Sequence, residues 1–177
     1  MRIIAGEFRS RRLKSIPGAA TRPTPDRLRE TLFDILAPRI EGATFLDAYA
    51  GTGAVGMEAL SRGAAHAFFL ERHRGALEAI RQNLASLGVE RRATVVAGPV
   101  LLTLPKHHAD IVFLDPPYDQ EREYAAVMEV LAEASPAIAV VQHSVRFALA
   151  EVHGALRRTR AVRQGDNALS FFCGAGW

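Results

Sequence analysis

From residue 43 to residue 143 the chain repeats one pattern: a short, almost wholly apolar run, then an amphipathic stretch of helical period. "ATFLDAY" (43–49), "AHAFFLE" (65–71), "ATVVAG" (93–98), "ADIVFLD" (109–115) and "AIAVVQH" (137–143) read as strands. Helices are expected over 54–62, over 74–87 ending at Gly88, over 120–134, and as a short piece near 146–152. Strands this apolar need cover on both faces, and helices alternating with them supply it. The expected fold is therefore a doubly wound, mostly parallel α/β sheet. The tail, "ALRRTRAVRQGDNALSFFCG", reads as two strands turning at Gly165-Asp166, an antiparallel hairpin that closes the sheet. Ligands of such sheets bind outside the carboxyl ends of the strands.

Upstream of the repeat the character changes. Residues 1–30 carry eight basic side chains against three acidic ones, a net +5, while the remainder carries 14 against 16. "RIIAGEFRSRRLKSI" (2–16) is expected to be a short hairpin or extended arm, and "GAATRP" (18–23) a loop. Residues 1–23 would form this basic segment, and 24–177 the α/β domain. A basic segment on a near-neutral body points to a phosphate-bearing partner, with Arg9, Arg11, Arg12, Lys14, Arg22, Arg27 and Arg29 as candidate contacts. Thr24 and Pro25 look like a helix start, with Leu28, Leu32, Ile35 and Leu36 on one face and Pro38 as the stop.

Composition excludes several classes. One cysteine, Cys173, rules out an internal disulfide and makes a reducing cytoplasm the default. No apolar run approaches the roughly 20 residues of a membrane-spanning helix. His107-His108 lies in a polar loop without partner ligands, so no metal is expected.

"LDAYAGTGAVG" (46–56) follows the first strand and opens a helix, and Gly51, Gly53 and Gly56 fit the nucleoside-cofactor turn G-x-G-x-x-G. Several cofactors share that turn, so its flanks decide. Asp47 lies four residues before Gly51. Its charge would repel a pyrophosphate but suits the ammonium and sulfonium of S-adenosylmethionine. Glu71 ends the next strand 24 residues on, a spacing at which an acid meets a ribose diol. A nicotinamide-linked oxidoreductase explains neither Asp47 nor the basic segment.

The fourth strand ends in "FLDPPYD" (113–119). Exocyclic base amines are weak nucleophiles because their lone pair is delocalised into the ring. A site that methylates one must accept its N–H groups and aim the lone pair. The Asp115 carboxylate and the Pro116 carbonyl offer two acceptors, and Pro116 and Pro117 stiffen them. Tyr118 offers a stacking surface worth roughly 1–3 kcal/mol.

These stretches, with "MRIIAGEFRSRRL", "RPTPDRLRETLFDIL", "FLER" and "QGDNALSFF", resemble the bacterial 16S ribosomal RNA (guanine-N2)-methyltransferases of the RsmD type, over essentially the whole chain. That resemblance implies a Rossmann-like class I methyltransferase sheet and S-adenosylmethionine as cofactor. It implies methylation of a guanine N2 amine in 16S rRNA, on an assembling small subunit, by a cytoplasmic monomer. Residue by residue it assigns Asp47, Ala50, Gly51, Gly53, Glu71, Arg72 and Val100 to the cofactor, and Asp115, Pro116, Pro117 and Tyr118 to the target base. One departure stands out: such enzymes usually carry an acid for the adenine amine after the third strand, where this chain has Pro99. Only the Val100 N–H is left to reach the ring. A DNA adenine-N6 or cytosine-N4 methyltransferase shares the tetrapeptide, but no extra segment for reading a duplex is evident. An idle RNA-binding assembly factor would have no use for an intact Asp115–Tyr118.

Overall fold

The computed structural model of the chain describes residues 1–16, 24–117 and 120–174. After helix α1 (Asp26–Ile40), strands and helices alternate. They run β1 (Thr44–Ala48), α2 (Ala54–Ser61), β2 (His66–Glu71), α3 (Arg74–Leu87), β3 (Ala93–Ala97), the single-turn α4 (Val100–Thr103), β4 (Ile111–Leu114), α5 (Glu121–Ala134) and β5 (Ile138–Ser144). A short β6 (Val152–His153) and the hairpin β7 (Leu156–Gln164) and β8 (Asn167–Cys173) follow. One eight-stranded sheet has the order β3-β2-β1-β4-β5-β8-β7-β6. β1 to β5 are parallel, and β8 returns antiparallel on β5.

The order reverses between β1 and β4. Chain leaving β1 winds outward through β2 and β3, then crosses back to place β4 on β1's other side. Helices leaving these two strands diverge, so a crevice opens above their carboxyl ends.

Alternation along the strands sorts the core into two faces. Phe45, Phe113, Val140, Leu169 and Phe171 face α1, where Leu28, Leu32, Phe33 and Leu36 cover them. Leu46, Val112, Leu114, Val141 and Phe172 face α5, against Tyr124, Val127, Met128 and Leu131. A third cluster joins α2 and α3 to β2 through Met57, Leu60, Phe69, Ile80 and Leu84, and it includes Ile3 and Leu13.

That last membership excludes a free extended arm and leaves the hairpin, since the Ile3 N–H donates to the Arg11 carbonyl and the Leu13 N–H to the Met1 carbonyl, both at 3.0 Å. Residues 1–16 make one isolated bridge, Arg2 with Arg12, and lie folded onto α2 and α3. The Ile4 and Ala5 N–H groups donate to the two oxygens of the buried Glu58 carboxylate at 2.8 and 3.0 Å. Asn83 grips Lys14 from both sides, accepting from its N–H at 2.7 Å and donating to its carbonyl at 3.1 Å.

Other expectations also move. Helix α1 begins at Asp26, with Pro25 as its cap residue and no side-chain cap bond. The Thr24 hydroxyl bonds Gln142 Oε1 at 3.2 Å instead. Pro38 does not stop α1, which continues to the buried Ile40. No helix forms over 146–152: Phe147 and Leu149 close tight turns onto the α5 face, and the chain enters β6. Helix α4 was not foreseen.

Candidate active site at the switch point of the sheet

A crevice of about 630 Å³ lies above the carboxyl ends of β1, β2 and β4, and Asp47, Gly51, Glu71, Val100 and Asp115 all line it. Each arrives by the same device. A strand end fixes the position: Asp47 and Glu71 fall within the last two residues of β1 and β2, and Gly51, Val100 and Asp115 follow within three residues of β1, β3 and β4.

Leaving β1, the chain adopts left-handed backbone at Tyr49 (φ 65°), Gly51 (φ 56°) and Gly53 (φ 80°). Gly53 needs to be glycine at that φ, and a Cβ on Gly56 would lie 2.4 Å from the Phe69 ring. The third glycine of the fingerprint thus lets α2 pack on β2. The turn is held from two sides. The Gly56 N–H, in the first turn of α2, donates to Asp47 Oδ2 at 2.9 Å. The Gly51 N–H donates to Glu71 Oε2 at 2.8 Å, while Glu71 Oε1 accepts from Arg72 and His73 N–H at 2.7 and 2.8 Å. Both acids therefore pin the turn as well as facing the crevice.

Three carboxylates share this small space. Burial pushes Asp47 well above the usual carboxylate range; the Gly56 N–H opposes that, and the charges of Asp115 and Glu71 add to it. Burial pushes Asp115 up to about 7. A cationic ligand would relieve both groups, whereas a pyrophosphate would worsen them. The acceptor set thus fits an ammonium- and sulfonium-bearing cofactor, and Glu71 fits its ribose.

Val100 opens α4, so its N–H has no partner within that helix, and the residue lines the crevice beside Pro99, the cap residue. Ala50 and Arg72 line the crevice as well.

On the target side, Asp115 and Pro117 border the crevice as expected, but the Pro116 carbonyl is partly engaged. It accepts from the buried Tyr124 hydroxyl at 3.1 Å, which leaves one lone pair for a base amine. Tyr118 lies outside the described residues, as does Arg22.

The basic candidates divide. Arg9, Arg11, Arg12, Lys14 and Arg27 are exposed. Arg11 donates to the Ser86 carbonyl at 2.6 Å and Lys14 Nζ to Gln82 Oε1 at 3.0 Å, both along α3. Arg29 is a correction: its side chain is 0% exposed. It bonds the Arg2 carbonyl at 2.6 Å and Asp26 at 3.0 Å, with Glu58 4.0 Å away. A guanidinium sealed under residues 1–5 cannot meet a phosphate, and its role is to hold the N-terminal segment to α1 and α2. The sequence held a signal for this, because Arg29 precedes Leu32 by three and Phe33 by four, which puts it on the buried face.

Sequence reading also missed Tyr49. Its hydroxyl donates to Glu123 Oε1 at 2.6 Å, tying the cofactor turn to the helix that follows Asp115. Left-handed backbone on a bulky residue is strain that a functional turn tolerates. Gln142 and Asn167, which line the crevice from β5 and β8, were missed too.

Known proteins resemble the chain over most of its length. The family model described as "Conserved hypothetical protein 95" matches residues 1–173. YlbH of Bacillus subtilis, named as a candidate rRNA methyltransferase, is 33% identical over 97% of this chain and 98% of its own length. Ribosomal RNA small subunit methyltransferase D of Escherichia coli is 43% identical over a stretch spanning 67% of this chain and 60% of that enzyme. The solved structure of yhhF, a candidate methyltransferase from Escherichia coli, superposes with a TM-score of 0.87 at 34% identity, covering 100% and 99% of the two chains. The chain belongs to this family, the RsmD-type methyltransferases that use S-adenosylmethionine.

Proposed function

We propose that the chain methylates the exocyclic N2 amine of a guanine in small-subunit ribosomal RNA, within an assembling particle, acting as a cytoplasmic monomer without a metal. The observation that carries this reading is the meeting of Asp47, Glu71 and Asp115 in one crevice at the switch point of the sheet. The relatives' names supply the RNA.

The cofactor, when bound, supplies a methyl group on a positively charged sulfur. Asp47 faces the methionine half, with the backbone of Ala50, Gly51 and Gly53 against it. Glu71 accepts from the ribose diol through Oε2, which takes only the Gly51 N–H and keeps a lone pair, whereas Oε1 is filled by the Arg72 and His73 N–H groups. The Val100 N–H and the side chain of Arg72 border the adenine end. Asp115, ionised, accepts an N–H of the guanine amine and turns the lone pair toward the methyl carbon. The free lone pair of the Pro116 carbonyl takes the second N–H. Pro117 keeps this corner stiff, and Tyr118 stacks on the base.

Positioning carries the rate, because the leaving group is already activated. The alkylated amine is acidic enough to lose its proton to Asp115 or to water. Arg9, Arg11, Arg12, Lys14, Arg22 and Arg27 take RNA phosphates.

The test is methyl transfer from labelled S-adenosylmethionine to small-subunit rRNA, as naked transcript and as particles, by parent and Asp115→Ala. The reading expects N2-methylguanosine from the parent and at least a roughly 100-fold slower single turnover from the variant. Label on adenine or cytosine would replace the proposed target, and an Asp115→Ala rate near parental would move the active site elsewhere.

A further inference from the structure

Residues 145–177 hold five arginines and two acids, a basic cluster that the N-terminal charge count left in the background. Four of the five stand on β7. Arg158 is engaged, bonding Glu151 at 2.8 Å and the Leu149 carbonyl at 3.2 Å. Arg157, Arg160 and Arg163 are exposed and make no ion pair among the described residues.

The strand that carries them is open. β6 pairs with β7 only through Val152–Arg157 and His153–Leu156, so from Thr159 to Gln164 the outer edge of β7 has no neighbouring strand among the described residues. In a regular strand Arg157 and Arg160 would point to opposite faces. The register slips at Thr159, where Arg158 faces Phe172 and Arg160 already faces Phe171. That extra residue puts Arg157, opposite Cys173, and Arg160, opposite Phe171, on the same face. It is the α1 face, the one on which Gln142 and Asn167 line the crevice. Arg163 takes the other face. His143, lowered chiefly by burial, is lowered further by the charges of Arg158 and Arg163, so both guanidiniums lie within electrostatic reach of the residue next to Gln142.

Distances suit a shared ligand. β7 is three strand spacings from β4, about 14 Å at 4.8 Å each, with Arg163, level with His143, at the crevice end of the sheet and Arg157, level with Ile138, at its far end. Arg157 to Arg163 spans about 20 Å of extended chain. Arg11 and Lys14 of the N-terminal segment sit over α3, on the opposite side of the switch point. Charges on an edge strand also discourage edge-to-edge pairing. That need is met by any charge in any orientation. It does not call for guanidiniums alone, and Lys serves it best.

We propose that the Arg157–Arg160–Arg163 edge of β7 is a second RNA-phosphate surface, so that the RNA is held on both sides of the crevice while one base enters it. This rests on the function proposed above. Arginine suits the task because its planar fork takes two phosphate oxygens at once.

The experiment compares parent and the triple variant R157Q/R160Q/R163Q in binding a small-subunit rRNA transcript between 50 and 200 mM salt. Loss of three phosphate contacts should flatten the log–log slope by about two to three units, so the parent loses roughly 20- to 40-fold more affinity than the variant over that range. S-adenosylmethionine affinity should be unchanged. A variant with the parental slope that self-associates in size-exclusion chromatography would show that the arginines only guard the edge, and the proposal fails. A parent with no salt-dependent rRNA binding would instead defeat the functional reading itself. Should the variant fold poorly, phenylglyoxal labelling of the parent decides: the three arginines should be protected by the transcript, and equal labelling with and without RNA overturns the surface.

Discussion

Replacing Asp115 by Asn separates two effects of one buried carboxylate. Burial raises its pKa from 3.8 to about 7. In the unfolded chain the group ionises near pH 4, so between about pH 4 and pH 7 the unfolded state releases its proton while the folded state keeps it. Folding stability therefore falls as pH rises through that window, and the loss is complete above it. A gap of about three units at 1.36 kcal/mol each gives about 4 kcal/mol, an upper figure because Asp115 is partly open to the crevice. Asn has no proton to lose. Asp115→Asn should thus be more stable than the parent by up to about 4 kcal/mol at pH 8, and by less than about 2 at pH 5. For a chain of this size each kcal/mol moves the melting temperature by roughly 2–4 °C, so the two pH values differ measurably. Methyl transfer should meanwhile fall at least about 100-fold. Thermal melts at both pH values, with and without cofactor, are the assay. A variant–parent gap that is the same at pH 5 and pH 8 would refute the claim that this carboxylate is held against its own solvation.

Other perturbations read the site piece by piece. Glu71→Ala should weaken S-adenosylmethionine binding by about 1–3 kcal/mol and also lower the melting temperature, since three backbone N–H groups lose their acceptor; calorimetry showing parental affinity would remove Glu71 from the ribose. Neutralising Arg9, Arg11, Arg12 and Lys14 together should flatten the salt dependence of rRNA binding by slightly under one unit per contact, with cofactor affinity untouched. Arg29→Met should leave that slope alone and cost about 1–3 kcal/mol of stability, because the Arg2 carbonyl loses its charged donor while Glu58 keeps Arg62 at 2.9 Å. A stable Arg29→Met protein with a flattened slope would return Arg29 to the RNA surface. Tyr49→Phe should destabilise the fold by about 1–3 kcal/mol through the lost bond to Glu123, which denaturant titration would detect.

Five parallel strands were legible to within two residues because their apolar runs answer to one demand, burial on both faces. Errors came where a distant partner overrode a local signal. Thr24 has the side chain of a helix cap, but Gln142, 118 residues away, takes its hydroxyl. Pro38 forbids a bond to residue 34, yet Ile40 is buried in the α1 cluster, and that keeps the last turn helical. Residues 146–152 read as a short helix, yet Phe147 and Leu149 fold onto Tyr124 and its neighbours through tight turns. At the site, Asp47, Glu71 and Asp115 were readable because strand ends converge by topology. Their second task, bonding the N–H groups of the turn, was not, since a sequence does not show where an amide points. Arg29 was misjudged for a related reason. Counting charge locates a cation along the chain, and only its place in the helical repeat says whether it meets water.

The most direct measurement is nucleoside mass mapping of small-subunit rRNA from a strain lacking this protein, complemented with the parent or with Asp115→Ala. One N2-methylguanosine should disappear on deletion, return with the parent and stay absent with the variant. An unchanged set of methylated guanines in the deletion strain would contradict the account.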